Sequence, residues 1–367
     1  MVQGVEVRLP GGVPGDSGRI RITHTGKNAA WGVFDDLTTP SPDRVEAPCA
    51  VVARCGGCPW QMVSLEAQRR VRMEKIESEL EGLLEGARCH EWASPPVQTG
   101  FRTRALMMAV RRRGELRLGF YAPGTRHLVV AEACDVQDAT VNRILERARK
   151  LLHDEGITTY GGPQRKGLLK ALLCRVDPEV GKGLLTLVVS RWHHSLSALG
   201  EKLGAIPSVS GVYANLSTRD SGPVLGNESR HLYGQQTQEI RYGSLSLEIG
   251  PTSFVQTHHE AASRLVERVG TLLPEKIDHL VDLYAGIGVF GLAFRERADQ
   301  VTLVERDEDA AGAARANAEK LGANHVAVFQ EPVNQYLDRW KEANAEPDVV
   351  LVDPPRAGCS EEVVKAL

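Results

Sequence analysis

The chain has 367 residues, of which 42% are apolar and 25% charged, and its 44 basic and 47 acidic residues leave a net charge of −3. This composition is typical of an ordinary globular protein, and the length predicts two or three domains. No apolar run reaches the roughly 18 residues of a membrane span, and residues 1–10 mix charged with apolar side chains, unlike a secretory signal. We therefore expect a cytoplasmic protein without membrane contact, whose charge leaves a nucleic-acid partner open.

The first 46 residues show the pattern of short β-strands. Val5, Val7 and Leu9 alternate with polar residues, and two further β-like runs, at 19–22 and 31–34, follow glycine-containing turns. Short strands joined by such turns predict a small barrel of the oligonucleotide-binding kind over residues 1–46.

The rest of the chain divides into two segments with different patterns of predicted strands and helices. Residues 47–240 predict a mixed α+β domain, with helices at 64–84 and 141–152 and strands at 106–110, 116–121, 168–176 and 184–190. Residues 241–367 alternate strands and helices, with strands at 279–284, 301–305, 325–329 and 349–352. That alternation predicts a parallel, doubly wound α/β sheet.

A glycine-rich loop follows the first strand of the doubly wound segment. Gly286, Gly288 and Gly291 form a G-x-G-x-x-G motif, which allows a ligand to approach the backbone at the start of a helix. Glu305 lies 19 residues after Gly286, at the end of the next predicted strand, where a carboxylate can bind ribose hydroxyls. This pair fits a nicotinamide dehydrogenase as well as a methyltransferase.

The end of the fourth predicted strand favours the methyltransferase. Asp353 is followed by Pro354 and Pro355, and the two prolines form a rigid lip beside the expected position of the substrate. A nucleobase methyltransferase uses such a carboxylate and lip, whereas a dehydrogenase does not. The alternative is a turn that merely terminates the strand.

Three cysteines lie close together in a second glycine-rich loop. Cys49, Cys55 and Cys58 are expected to bind a metal or cluster rather than form disulfides, because no export signal is present. An iron–sulfur cluster, a structural zinc site and free thiols all remain open on this pattern. Candidates for a fourth ligand are Cys89, Cys134, Cys174 and Cys359.

Taken together, residues 282–291, Glu305 and residues 353–358 resemble the bacterial RNA uracil-C5 methyltransferase family, over nearly the whole chain. The members with an N-terminal TRAM barrel and an iron–sulfur cluster, mostly enzymes of 23S ribosomal RNA, are most similar. The resemblance implies a Rossmann-like class I methyltransferase domain at 241–367, a central domain at 47–240 and a TRAM-like barrel at 1–46. It also implies a monomer that binds RNA.

The resemblance further implies the cofactors and their ligands. A 4Fe–4S cluster would be held by Cys49, Cys55, Cys58 and Cys134. S-adenosylmethionine would be bound by Gln256, Tyr284, Gly286, Gly288, Glu305 and Asp353. Gln256 belongs to a segment that is Phe-x-Gln-x-Asn in the family, and His258 stands here in place of its asparagine.

A basic hairpin is a candidate RNA surface. It combines arginines with nearby aromatic residues, although a charged hairpin is as often only a solvated surface. The residues are Arg102, Arg104, Arg111, Arg112, Arg113 and Arg117, with Phe101, Phe120 and Tyr121.

The resemblance implies a reaction in which a cysteine thiolate adds to uracil C6 so that C5 can accept the methyl group. In the family, this cysteine and the base that follows it lie beyond the position of Leu367, and Cys359 does not match them. We therefore expect no catalytic residue within 1–367 and an inactive, C-terminally truncated enzyme. The alternatives are an RNA amino-group methyltransferase, in which an aromatic residue usually stands at the position of Arg356, and a non-catalytic RNA-binding iron–sulfur protein.

Overall fold

The structure, a computed structural model, describes residues 6–26, 29–80, 97–160, 166–219, 222–343 and 346–367. The sequence predictions that involve Val5, Cys89 and residues 81–84 lie outside this range. Within the described residues, no helix combines the length and the apolar character needed to cross a membrane.

The strands are β1 (Glu6–Arg8), β2 (Ser17–Thr25), β3 (Ala29–Thr39), β4 (Arg104–Arg112), β5 (Glu115–Tyr121), β6 (Leu128–Val130), β7 (Leu169–Asp177), β8 (Lys182–Val189), β9 (Val209–Leu216), β10 (Glu228–Gly234), β11 (Gln238–Tyr242), β12 (Leu245–Ile249), β13 (Ile277–Leu283), β14 (Ala298–Glu305), β15 (Val326–Gln330) and β16 (Val349–Val352). The helices are α1 (Leu65–Leu80), α2 (Ala139–Asp154), α3 (Leu196–Gly204), α4 (His259–Leu272), α5 (Val289–Ala293), α6 (Glu308–Lys320), α7 (Val333–Ala343) and α8 (Glu361–Ala366). A 3₁₀ turn, Arg295–Arg297, precedes β14.

The chain divides into two compact units. Unit 1 takes its described residues from 1–94, 106–136 and 149–172, and unit 2 from 95–105, 137–148 and 173–367. In unit 1, β3 pairs in parallel with β1 and antiparallel with β2. These three strands form an open sheet in the described residues, so the closed barrel remains a prediction.

A hairpin and a short third strand complete the sheet structure of unit 1. β4 pairs antiparallel with β5, and β5 with β6. Arg113 and Gly114 form the two-residue turn between β4 and β5, with φ of 51° and 83°. Two positive φ values are what a type I′ turn requires, and this turn matches the twist of the hairpin.

Unit 2 contains two sheets and a short hairpin. The first sheet has the order β10-β9-β8-β7, with β8 and β9 parallel and α3 connecting them. β11 and β12 form a separate antiparallel hairpin. The second sheet, with the order β15-β14-β13-β16, is parallel throughout, so the predicted alternation of strand and helix is confirmed as an α/β fold.

β13, an interior strand of this parallel sheet, packs apolar side chains on both faces. Leu280 packs into one apolar cluster, which also contains Leu303, whereas Val281 and Leu283 pack into a second cluster against α7 and α8. Burial on both faces explains why adjacent residues of this strand, such as Leu280 and Val281, are both apolar.

Candidate cofactor site

The order of the parallel sheet determines where a ligand can bind. The chain proceeds from β13 to β14 and β15 on one side, and then returns to β16 on the other side of β13. The carboxyl ends of β13 and β16 therefore flank the point at which the direction of winding reverses. Open parallel sheets bind their ligands in the crevice at this point. Asp282 is near the end of β13, Glu305 ends β14, and Asp353 follows β16 directly.

The glycine loop after β13 has backbone conformations that suit glycine. Gly286 and Gly288 have φ of 58° and 89°, and Tyr284 also has a positive φ, of 62°. A Cβ on Gly291 would lie 2.2 Å from Leu303 Cδ2, so this glycine lets the helix pack closely on the sheet. At Gly286, in contrast, a Cβ would meet no atom within 4 Å. The loop therefore presents open space at Gly286, where a ligand could approach the backbone.

The Glu305 carboxylate is fixed by two backbone donors. Its Oε2 accepts a hydrogen bond from Gly286 N at 3.0 Å, and its Oε1 accepts one from Asp307 N at 2.8 Å. Each carboxylate oxygen can accept a further bond, because it has two lone pairs. The side chain is thus oriented and can still accept hydrogen bonds from a pair of ribose hydroxyls.

Asp282 is a site residue that sequence reasoning did not select. It is buried, its Oδ2 accepts a hydrogen bond from Gly291 N at 2.8 Å, and its Oδ1 has no partner among the described residues. Burial is the main cause that raises the pKa of this carboxyl to about 7; the charges of Asp353 and Glu305 act in the same direction, and the Gly291 N–H acts against them. Its position four residues before Gly286, near the end of the strand that leads into the glycine motif, was the sequence signal that could have identified it.

Tyr284 and Cys359 lie together beside the end of β13, against the apolar cluster formed with α7 and α8. Both pack against the cluster that contains Leu337. Burial raises the pKa of the Tyr284 hydroxyl, and its hydrogen bond with the Cys359 thiol acts in the same direction. Cys359 is therefore a packing partner of Tyr284.

The segment that carries Gln256 is attached to the glycine loop by one apolar side chain. Val255 is buried in the same cluster as Ala285 and Ile287, while Phe254 is 73% exposed and Gln256 is also exposed. The segment is further held by the buried Arg175 guanidinium, which donates to the Ser253 carbonyl.

His258, which replaces the family's asparagine, has a local structural role. Its Nδ1 accepts a hydrogen bond from Ala261 N at 3.2 Å and so caps α4. Its ring stacks on Phe101, with 4.6 Å between the ring centroids and an interplanar angle of 14°.

The cysteine loop belongs to unit 1. Cys55 Sγ accepts a hydrogen bond from Gly57 N at 3.4 Å, and Gly56 N donates to the Tyr121 carbonyl at 3.3 Å. Cys49, Cys58 and Cys134 are half-buried in the same unit. Across the described part of the chain, no group of three or more His, Cys, Asp or Glu side chains is arranged to hold a metal ion. The cluster ligands therefore remain a prediction.

The other two described cysteines lie in unit 2. Cys174 is fully buried in β7, where desolvation raises the pKa of its thiol well above the usual range, and Cys359 contacts Tyr284.

The predicted basic surface is divided by the fold. Arg102 and Arg104 belong to unit 2, whereas the hairpin arginines belong to unit 1. Arg111 Nε donates a hydrogen bond to the Ile157 carbonyl oxygen at 3.1 Å, and Arg117 Nη1 forms an ion pair with Glu132 Oε1 at 2.8 Å. Arg112 and Arg113, in contrast, are exposed at the hairpin turn.

The fold and the site define a doubly wound α/β domain with a candidate ligand site at its switch point. Residues 259–367 match the family model described as conserved hypothetical protein 95. The chain is 30% identical to an uncharacterized RNA methyltransferase of Gloeobacter violaceus, over 98% of this chain and 79% of that protein. It is 29% identical to an uncharacterized RNA methyltransferase of Synechocystis, with the same coverage.

The chain therefore belongs to the RNA methyltransferase family of these relatives. A solved structure supports the fold: the Pyrococcus abyssi tRNA (uracil-54, C5)-methyltransferase, determined in complex with S-adenosyl-L-homocysteine, aligns with a TM-score of 0.76. The alignment covers 98% of this chain and 82% of that one, at 22% identity.

Proposed function

We propose that the protein is an S-adenosylmethionine-dependent RNA methyltransferase that forms 5-methyluridine, with 23S ribosomal RNA as its substrate. Membership of the RNA methyltransferase family supports the reaction class. The uracil-C5 position and the ribosomal target rest on the resemblance of the glycine loop and the Asp-Pro-Pro segment to that family.

The observation that carries the cofactor proposal is the charge of the crevice. Asp282, Glu305 and Asp353 lie at neighbouring strand ends, and the two latter carboxylates raise the pKa of the first. An accumulation of carboxylates favours a cationic ligand and disfavours an anionic one. S-adenosylmethionine carries a sulfonium and an ammonium group, whereas a nicotinamide dinucleotide carries a pyrophosphate.

The residues of the chain would then have distinct tasks. Glu305, oriented by Gly286 N, would accept the ribose hydroxyls. The open face of Gly286 would let the ligand lie against the backbone. Asp353 and the prolines after it would form a rigid wall between cofactor and base, because proline fixes φ. S-adenosylmethionine supplies an electrophilic methyl group when it is bound.

The cofactor proposal can be tested by calorimetry. Glu305→Ala should weaken S-adenosylmethionine binding by about 1–3 kcal/mol, because ribose hydroxyls lose a charged acceptor. The matched control is Glu319→Ala, which removes an exposed carboxylate from α6. Equal affinities for the two variants, or tighter binding of NAD than of S-adenosylmethionine, would contradict the proposal.

The reaction can be tested with the full-length protein. Radiolabelled methyl transfer is compared on 23S ribosomal RNA and tRNA transcripts, and the modified nucleoside is identified by mass spectrometry. We expect 5-methyluridine in the ribosomal transcript. An N-methylated base would favour the amino-group methyltransferase, tRNA as the sole substrate would refute the ribosomal target, and RNA binding without transfer would favour the non-catalytic alternative.

The cysteine loop supports a second proposal, a 4Fe–4S cluster bound by Cys49, Cys55, Cys58 and Cys134. All four thiols belong to unit 1, and the Gly57 N–H directed at Cys55 Sγ is the kind of hydrogen bond that tunes cluster thiolates.

Protein purified without oxygen should then be brown, and Cys55→Ser should remove the colour, while the control Cys359→Ser should retain it. A colourless protein with one zinc ion per chain would contradict the cluster.

A further inference from the structure

Unit 1 contains a cavity of about 400 Å³ that has no role in the proposed cofactor site. Its walls come from β2 and β3, from the cysteine loop at Ala53 and Arg54, and from the chain between β5 and β6. The volume lies in the range of small-molecule sites. It can hold one nucleotide-sized group and is too small for a nucleic-acid helix.

The charged residues that line the cavity are all of one sign. Arg54 and Arg112 reach it from different segments, and His24 and His127 add two imidazoles. Neither aspartate nor glutamate occurs among the described residues of the lining. Guanidinium groups without a carboxylate in the lining favour an anionic ligand, and phosphate is the anion whose geometry they match best.

The other wall is aromatic and apolar. The half-buried Trp31 lines the cavity together with Val33 and Leu128. The turn after β5 covers part of this indole, because a Cβ on Gly124 would lie only 3.3 Å from Trp31 Cε2. The exposed Arg8 guanidinium lies over the ring, 5.7 Å from its centroid, so a base that packs on the indole would replace Arg8 there. A lining that combines an indole with arginines suits a ligand that has both a planar ring and a phosphate.

We propose that this cavity binds one nucleotide of single-stranded RNA, with its base against Trp31 and its phosphate at Arg112 and Arg54. The proposal rests on the proposed function for its RNA, and it concerns a nucleotide other than the one that is methylated, since Glu305 and Asp353 do not line the cavity. Among the lining residues, both arginines, Gly124 and Thr125 are exposed to solvent. This exposure lets the strand continue outside the cavity on either side of the bound nucleotide.

The test is fluorescence-anisotropy binding of a fluorescein-labelled 12-nucleotide oligouridylate, at several salt concentrations. Arg112→Ala should weaken binding and lower the slope of log K against log salt by about 0.7, the value expected for one phosphate contact on a single strand. The matched control is Arg126→Ala, an exposed arginine between two lining residues that does not itself line the cavity. Its slope should equal that of the wild type.

Trp31→Ala should weaken binding by about 5- to 150-fold at every salt concentration without changing the slope, because it removes stacking and not charge. Circular dichroism and the melting temperature identify a Trp31 variant that fails to fold, and the exposed Arg112 variant keeps the proposal testable in that case. Equal slopes and affinities for Arg112→Ala and Arg126→Ala would overturn the cavity proposal.

Two further measurements distinguish free nucleotide from RNA as the ligand, and failure of the cavity proposal from failure of the proposed function. Free UMP that binds tightly, while oligouridylate binding is unaffected by Arg112→Ala, would indicate a metabolite site and overturn the proposal. Wild-type protein that methylates RNA although Arg112→Ala has no effect would leave the proposed function intact and refute only the cavity. Wild-type protein that neither binds nor methylates RNA would refute both.

Discussion

Replacing Asp282 with asparagine should change how the stability of the protein depends on pH. The carboxyl is buried at the end of β13, where only its Oδ2 has a described partner, the Gly291 N–H. Asparagine has nearly the same shape and can accept that hydrogen bond through its amide oxygen. The substitution therefore removes the ionisable group and leaves most of the local packing in place.

The magnitude follows from the difference between the folded and the unfolded pKa. Burial raises the pKa of Asp282 from 3.8 to about 7, a difference of about 3, and each pKa unit corresponds to about 1.36 kcal/mol. Below about pH 4 both states are protonated, and the residue contributes no pH dependence. Between pH 4 and 7 the folded protein binds more protons than the unfolded chain, so the free energy of unfolding falls as pH rises. Above pH 7 the full cost of about 4 kcal/mol is present.

The assay is urea denaturation of wild type and Asp282→Asn at pH 5 and pH 8. The free energy of unfolding of the variant minus that of wild type should be about 3 kcal/mol higher at pH 8 than at pH 5, so that the variant gains stability relative to wild type as pH rises. Asp278→Asn, which removes an exposed carboxyl from the same strand, is the control for the loss of one negative charge. A difference between Asp282→Asn and wild type that is the same at both pH values would refute the reasoning.

Two further predictions concern packing. Gly291→Ala should lower the free energy of unfolding by about 1–3 kcal/mol, because the new Cβ would overlap the buried Leu303. Gly312→Ala should raise the free energy of unfolding by about 0.5–1 kcal/mol, because this glycine lies in α6 and its new Cβ would meet no atom within 4 Å. Urea denaturation measures both changes. Cys174 should resist alkylation in the native protein while Cys359 reacts, since Cys174 is fully buried; peptide mass spectrometry after labelling would contradict this burial if both reacted at the same rate.

The parallel sheet could be predicted because its strands leave a strong local signal. The interior strands β13 and β14 are mostly buried, and residues 301–305 and 349–352 are mostly apolar runs that match the end of β14 and the whole of β16. In contrast, β10 is exposed along almost its entire length and has no apolar periodicity, so the sequence did not predict it. β12 has a regular alternation of buried and partly buried residues, a signal that was available in the sequence and was not used.

The chemistry of the site was less accessible to sequence reasoning, because it depends on contacts between distant segments. Glu305 could be placed by its spacing from the glycine loop, but its hydrogen bond to Gly286 depends on the pairing of β13 with β14. His258 appeared only as a departure from the family pattern. Its stacking on Phe101, more than 150 residues earlier in the chain, gives it a structural role that no local pattern contains.

A glycine-rich loop by itself cannot distinguish a site for a dinucleotide from one for S-adenosylmethionine, because both require backbone close to a ligand. The distinction depends on what the N–H groups of the loop bind in the folded chain. In a dinucleotide site, donors at the helix N-terminus face a pyrophosphate. Here Gly286 N donates to Glu305 and Gly291 N donates to Asp282, so two of these donors are already bound to carboxylates. A pyrophosphate would have to displace one carboxylate and tolerate the charge of the other, whereas a sulfonium ligand benefits from both. The same two hydrogen bonds that hold the loop to the sheet thus favour a cationic cofactor.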